Sequence, residues 1–260
     1  MRRLLDGWET LCKGSAALRF IDINLRGIGQ VMFQDNPLSG LLFFIAIAWG
    51  SIAAGMPQVA IGGIVALLAG TLTAQWLRVD AAGLAAGLFG YNAYLVGLAL
   101  GTFLAVTPLW WVYVALGGAV SVVATLGTAN VFKTWGVAAL TAPFVLTTWL
   151  LLLATYAFTA LEGSGLPMSA EIVPLDASAA SSLGLGDFAL GVMKSISQVF
   201  LKASIVAALL LLAGLAVNSL TAAAFGLGGA IVAVVAGHLF GAESDLITGG
   251  LMGFSPVLTA

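Results

Sequence analysis

Two glutamines and a few aromatics are the residues of this 260-residue chain whose types and spacing point to chemistry. Gln30 stands in Arg26-Gly27-Ile28-Gly29-Gln30-Val31 and Gln198 in Lys194-Ser195-Ile196-Ser197-Gln198-Val199, the same order of cation, small residue, isoleucine, small residue, glutamine and valine. A side-chain amide both donates and accepts, so it can meet a carbonyl and an amine. Phe33 follows Gln30 by one helical turn. A second repeated motif, Gly87-Leu88-Phe89-Gly90-Tyr91-Asn92-Ala93-Tyr94-Leu95-Val96-Gly97, returns as Gly250-Leu251-Met252-Gly253-Phe254-Ser255-Pro256-Val257-Leu258-Thr259-Ala260 and places Tyr91 or Phe254 directly after a glycine. Flat apolar faces beside paired amides suit a small, flat, neutral, polar solute. A glutamine in a membrane helix can also merely bond a neighbouring helix, but its symmetric recurrence favours a role in binding.

Other candidates carry less. Asp80 and Glu243 precede the glycine motif by the same interval, at the starts of apolar segments, where a carboxylate complements a helix N-terminus. Capping is the better reading there than catalysis. The single histidine, His238, has no cysteine or carboxylate cluster at metal-ligand spacing, so no metal and no cofactor are expected. Nucleophile, base and orienter do not assemble, and no glycine-rich phosphate loop is present, so the chain does not read as an enzyme. Trp49, Trp76, Trp110, Trp111, Trp135 and Trp149 read as packing or interfacial anchors.

The elements that must position these residues are set by composition. With 61% hydrophobic and 8% charged residues, the chain falls far below the roughly one quarter charged that soluble domains carry. The apolar segments lack period-two alternation and reach helical spanning length, which in lipid forces helices that satisfy their own backbone. The fold class is an all-α polytopic membrane protein. Abundant glycine suits close helix packing in lipid. A net charge of -2 with thinly spread cations gives no surface for nucleic acid, and Cys12 cannot form an internal disulfide. No removable signal peptide is expected, since the N-terminal residues are charged and lack a long apolar core before a small-residue cleavage site.

In order, residues 1–18 read as a cytoplasmic N-terminal arm and 19–161 as a first repeat. That repeat holds a short polar half-helix, ending before Asn36-Pro37, and five spans near 38–55, 57–77, 81–103, 106–127 and 136–157. Residues 162–187 read as an extracytoplasmic linker. Residues 188–260 restart the pattern with a second half-helix, spans near 203–220 and 222–240, and the beginning of a third at Glu243. An odd number of crossings inverts the second half, giving an inverted repeat of five transmembrane helices and one re-entrant half-helix per half. Because the second glycine motif stops at Ala260, the second half is expected to be truncated. The basic arm, Arg78 and Lys133 fall on one side and the cation-free linker on the other, which sets the N-terminus in the cytoplasm. Lys194 and Lys202 then lie outside, flanking the inverted half-helix.

Together, Gln30-Val31-Met32-Phe33 leading into Asn36-Pro37-Leu38-Ser39-Gly40, then Gly90-Tyr91-Asn92-Ala93-Tyr94-Leu95-Val96-Gly97, then Leu140-Thr141-Ala142-Pro143-Phe144, resemble the urea transporter family of channel-like facilitators, of the bacterial type. The likeness runs along almost the whole chain. Val137-Ala138 stands where the family's pattern has a Leu-Pro pair before Thr-x-Pro-Phe. The resemblance implies a homotrimer in the inner membrane, one pore per subunit, passing urea down its gradient without ion coupling. It implies an aromatic slot to which Phe33, Tyr91 and Leu95 correspond on one side and Val199, Leu201 and Phe254 on the other. It also matches Gln30 and Thr141 to oxygen-bearing pore positions, and sets Gln198 where some members carry a glutamate and Tyr91 where many carry phenylalanine. The alternatives are a facilitator of another small neutral solute, such as an amide or ammonia, and a non-conducting membrane scaffold. An ammonia channel would call for paired histidines, and His238 is unpaired.

Overall fold

A computed structural model describes residues 2–158, 160–161, 163 and 183–260. The linker expected over 162–187 lies outside the described residues except for 163 and 183–187. Among the described residues the chain forms helices α1 (Arg2–Gly14), α2 (Ala16–Gln30), α3 (Pro37–Ala53), α4 (Pro57–Trp76), α5 (Ala81–Ala85), α6 (Tyr91–Phe103), α7 (Pro108–Lys133), α8 (Ala142–Thr155), α9 (Leu185–Gln198), α10 (Ile205–Asn218), α11 (Leu220–Leu239), α12 (Ser244–Thr248) and α13 (Phe254–Thr259).

The starts of these helices follow from local chemistry. The first N–H groups of a helix have no partner within it, and a short polar side chain at the N-cap supplies one. Ser15 accepts from the Leu18 N–H at 3.4 Å, Asn36 from Leu38 at 2.9 Å, Thr107 from Trp110 at 3.3 Å, Ser204 from Ala207 at 3.3 Å and Ser219 from Ala222 at 3.1 Å. Proline at the first helical position of α3, α4 and α7 fixes φ where its missing N–H costs nothing. Helices α4, α7 and α11 are long and apolar enough to cross a membrane, whereas α3, α8 and α10 are apolar but shorter. Among the described residues the regular structure is all helical, and these apolar helices mark a membrane protein.

Three expected spans differ from the sequence reading, and the one begun at Glu243 breaks after Thr248 and resumes at Phe254, with Gly250 at φ +80° between. The segment 81–103 is not one helix: it breaks after Ala85 and resumes at Tyr91. The cause is Gly87, at φ +77°, which turns the chain because the backbone of Gly27 on α2 passes too close for any Cβ. The segment 136–157 becomes helical only at Ala142, after a stretch that contains Gly136 at φ +65° and Leu140 at φ +44°. The polar arm and half-helix are also redrawn, with α1 separate from an α2 that begins at Ala16. Cys12 is buried, its thiol 3.6 Å from the Leu18 carbonyl.

Small residues decide how the long helices meet. Gly62 on α4 and Gly97 on α6 face each other so closely that each would drive a Cβ into the other's carbonyl, and Gly118 on α7 lies against the backbone of Ala66. Helix α3 joins the first set of helices to the second through α10: Phe43 lies against Gly214, and Ser39 Oγ donates to the Gly214 carbonyl at 2.7 Å. Phe200, fully buried, sits between Phe43 (ring centroids 5.8 Å apart) and Tyr94 (6.4 Å).

Candidate functional site

The two repeated motifs meet in space, once in each half. Gln30 is the last residue of α2, and its Nε2 donates to the Ala86 carbonyl at 2.9 Å. Gln198 is the last residue of α9, and its Nε2 donates to the Gly249 carbonyl at 3.0 Å. Ala86 and Gly249 each precede a left-handed glycine, Gly87 at φ +77° and Gly250 at φ +80°. A Cβ on Gly87 would collide with the Gly27 amide, and one on Gly250 with the backbone of Lys194 and Ser195. Helices α2 and α9 are thus pressed against the glycine turns, and one N–H of each glutamine locks the contact. Among the described residues no protein donor meets either Oε1, so each amide retains its acceptor.

Beyond each glutamine the chain reverses through a residue in the left-handed region, Phe33 and Leu201, both at φ +58°. Gln34 N–H then returns to the Gly29 carbonyl at 3.0 Å, and Lys202 N–H to the Ser197 carbonyl at 3.2 Å. Phe33 is 49% exposed and lines a cavity of about 250 Å³ with Met32, Gln34, Phe225, Val257 and Leu258. The first turn therefore reaches across to the second half. Gln34 Oε1 accepts from Asn218 Nδ2 at 2.8 Å, and Asn36 Nδ2 donates to Asn218 Oδ1 at 3.2 Å. The counterpart of Gln34 is Lys202, which is buried with its stem along Gly50 of α3.

The remaining predicted residues divide into two groups. Leu95 and Val199 are buried in the core that joins the halves, and Leu201 and Tyr91 pack against it. Phe254 is 43% exposed. Tyr91, Leu95 and Phe254 do not line the Phe33 cavity, whose far wall is supplied by Val257 and Leu258. Tyr91 Oη donates to the Leu140 carbonyl at 2.6 Å, directly before Thr141. Thr141 is the N-cap of α8 but makes no side-chain capping bond. Asp80 does cap, accepting from Gly83 N–H at 2.6 Å, whereas Glu243 forms no such bond.

Sequence reasoning missed three groups. Asn92, 1% exposed, holds the Thr141 turn from both sides: Nδ2 donates to the Leu140 carbonyl and to Thr125 Oγ1, each at 3.3 Å, and Oδ1 accepts from the Phe144 N–H at 3.3 Å. Its signal was available, since a polar residue follows the aromatic in both glycine motifs. Asn218, the bridge to Gln34, could have been noticed as an amide ending a wholly apolar segment. The hydroxyls of Thr147 and Thr148, one to two turns into α8, are buried without a hydrogen-bond partner. A threonine pair in an apolar helix gives no indication of that from sequence.

Comparison with known proteins points in one direction. A sequence model described as urea transporter matches residues 21–260. Urea transporter 1 of Rattus norvegicus is 34% identical over 160 residues, covering 60% of this chain and 40% of the rat protein. Urea transporter 1 of Ovis aries is 32% identical over 161 residues, covering 61% of this chain and 41% of its own length. The counterpart from Mus musculus is 35% identical over 130 residues, covering 49% and 33%. The chain thus spans about two fifths or less of the curated relatives it matches.

Proposed function

Because this chain belongs to the urea transporter family, we propose that it serves facilitated movement of urea across a membrane, down the solute's gradient and without a covalent step. The observation that carries the reading is the matched pair of glutamines, each donating to the carbonyl ahead of a left-handed glycine and each keeping an acceptor. Urea is planar and neutral with N–H donors on both sides. Acceptors at Gln30, Gln198 and Thr141 take those donors in turn, while apolar faces such as Phe33 sandwich the plane. Several weak sites in a row let a solute leave as readily as it binds.

The same reading makes the two helix sets an inverted repeat, with residues 19–161 and 188–260 as its halves and the path between them, as expected where half-helices end near the midplane. The paired bonds of Gln30 and Gln198 support that symmetry. Assembly as a homotrimer in the inner membrane, with a cytoplasmic N-terminus, belongs to the same proposal. Tyr91, Leu95, Val199, Leu201 and Phe254 shape the slot, Tyr91 with its hydroxyl turned to the Leu140 carbonyl.

Stopped-flow light scattering on proteoliposomes tests this. Urea-driven reswelling should exceed that of empty vesicles and fall about tenfold in Gln30→Ala and Gln198→Ala, a rise of about 1.4 kcal/mol in the barrier. Insertion without urea flux would overturn the reading in favour of a different solute or a scaffold.

A further inference from the structure

One ionic cluster lies outside everything assigned above. The guanidinium of Arg26 on α2 is 16% exposed and is shared among three carboxylates. Nε donates to Asp22 at 2.8 Å, one terminal nitrogen donates to the Asp35 carboxylate at 2.6 Å and to the Asp35 carbonyl at 3.3 Å, and the other lies 3.8 Å from Glu9. Asp22 also accepts from Trp8 Nε1 at 2.7 Å. The guanidinium fork therefore ties three pieces of chain: the separate arm α1, helix α2, and the turn that follows it. Asp35 lies two residues beyond Phe33, which sits in a left-handed conformation that L side chains rarely adopt. Such a turn persists where surrounding contacts over-determine it.

We propose that Arg26 is a positioning residue for the Phe33 turn, held in place by α1 through Trp8 and Glu9, so that the arm sets how far the Phe33 ring stands into the solute path. The second half has no such device. Its counterparts of Arg26 and Asp35 are Lys194 and Ala203, and the turn there is closed instead by Ser197 Oγ accepting from the Ser204 N–H at 3.1 Å. The fork is what matters, because a lysine at position 26 is a point charge and cannot hold Asp22 and both Asp35 oxygens at once. That the turn shapes selectivity rests on the reading of Phe33 as part of a urea path; that the cluster holds the turn does not.

Hydrogen exchange followed by mass spectrometry on the purified protein tests the structural part. In Asp35→Asn and Arg26→Lys, amides in peptides covering 31–36 should exchange about tenfold faster, while those covering 199–204 keep the wild-type rate. Trp8→Phe, which removes the indole donor but keeps an aromatic ring, should shift the first turn in the same direction by a smaller factor. An unchanged rate at 31–36, or an equal rise in both turns, overturns the proposal. Flux tests the functional part: in proteoliposomes the ratio of urea to N,N′-dimethylurea permeation should fall about threefold in Asp35→Asn. If wild-type vesicles pass no urea, the urea reading fails while the exchange result still stands. If wild type conducts, and Asp35→Asn loosens the turn yet keeps the same ratio, the claim that Arg26 positions Phe33 for selectivity is wrong.

Discussion

The turn from Val31 to Asn36 and the turn from Val199 to Ser204 follow one backbone path and are fastened by different side chains. Both pass through a residue at φ +58°, and both return an N–H to a carbonyl five residues back. In the first, Arg26 grips Asp35, and Gln34 reaches Asn218 of the other half. In the second, the Ser197 hydroxyl does the fastening, and Lys202 lays its stem on Gly50. The position of Ser197 is held by Gly29 in the first turn, where a Cβ would collide with the Gln34 carbonyl. The repeat thus preserves a chain trace and leaves each copy to find its own bonds. Where the two copies do agree in side chain, at Gln30 and Gln198, they agree in bond as well, each donating to the carbonyl ahead of a left-handed glycine.

The agreement is tested most severely at the glycines. Gly87→Ala and Gly250→Ala each force an L side chain into the left-handed region, at about 1 kcal/mol, and drive a methyl into backbone, at roughly 1–3 kcal/mol. Both variants should lose about 3 kcal/mol, read as a collapse of the folded fraction in detergent at ordinary temperature. A tolerated Gly250→Ala beside a ruinous Gly87→Ala would break the equivalence of the two glutamine–glycine contacts. A narrower comparison follows at the turns. Gly29→Ser imports the second half's fastener into the first, where the Gln34 carbonyl leaves no room, and should cost about 2 kcal/mol. A Gly29→Ser protein as stable as wild type would mean that the turns are interchangeable after all.

How much of this could be read from sequence depends on whether the signal is local. The repeated glutamines and the breaks at Asn36-Pro37 and Thr107-Pro108 were legible, because prolines and short motifs act over a few residues. The break within 81–103 was not. Its cause is the close approach of Gly27, some 60 residues earlier in the chain, and apolar composition continues through Leu88 and Phe89 without interruption. The family resemblance places Phe33 with Tyr91 and Leu95, and the cavity beside Phe33 is completed by Val257 and Leu258 from far along the chain. Pairings between halves, such as Gln34 with Asn218, carry no mark in either local sequence. Asn92 was visible as a polar residue, but its partners at Leu140 and Phe144 follow only from how α6 meets the turn before α8.

A milder variant separates fastening from chain trace. Ser197→Ala removes the hydroxyl that receives the Ser204 N–H and leaves that donor unpaired in a mostly buried turn. A loss of about 1 kcal/mol is expected, seen as a drop of a few degrees in the unfolding midpoint. The Lys202 N–H bond to the Ser197 carbonyl remains, so the turn should keep its shape. Faster exchange confined to 199–204, with 31–36 unaffected, would be the matching signature. Spread of the effect to the first turn would show that the fastenings communicate.

The smallest expected effect comes from making the halves alike at their aromatics. Tyr91→Phe gives the first glycine motif the phenylalanine that the second already has at Phe254. The hydroxyl lost is one that donates to the Leu140 carbonyl at 2.6 Å, and that carbonyl still receives Asn92 Nδ2 at 3.3 Å. No buried group is left without a partner, so the stability change should stay below about 1 kcal/mol. Since the hydroxyl is already engaged with the backbone, its removal takes no donor away from a passing solute, and urea permeation should stay within about twofold of wild type. A tenfold change in either direction would mean that the Tyr91 hydroxyl leaves Leu140 to act on the solute itself. The difference between Tyr91 and Phe254 would then be functional, and the halves would share a trace while dividing the work of selection.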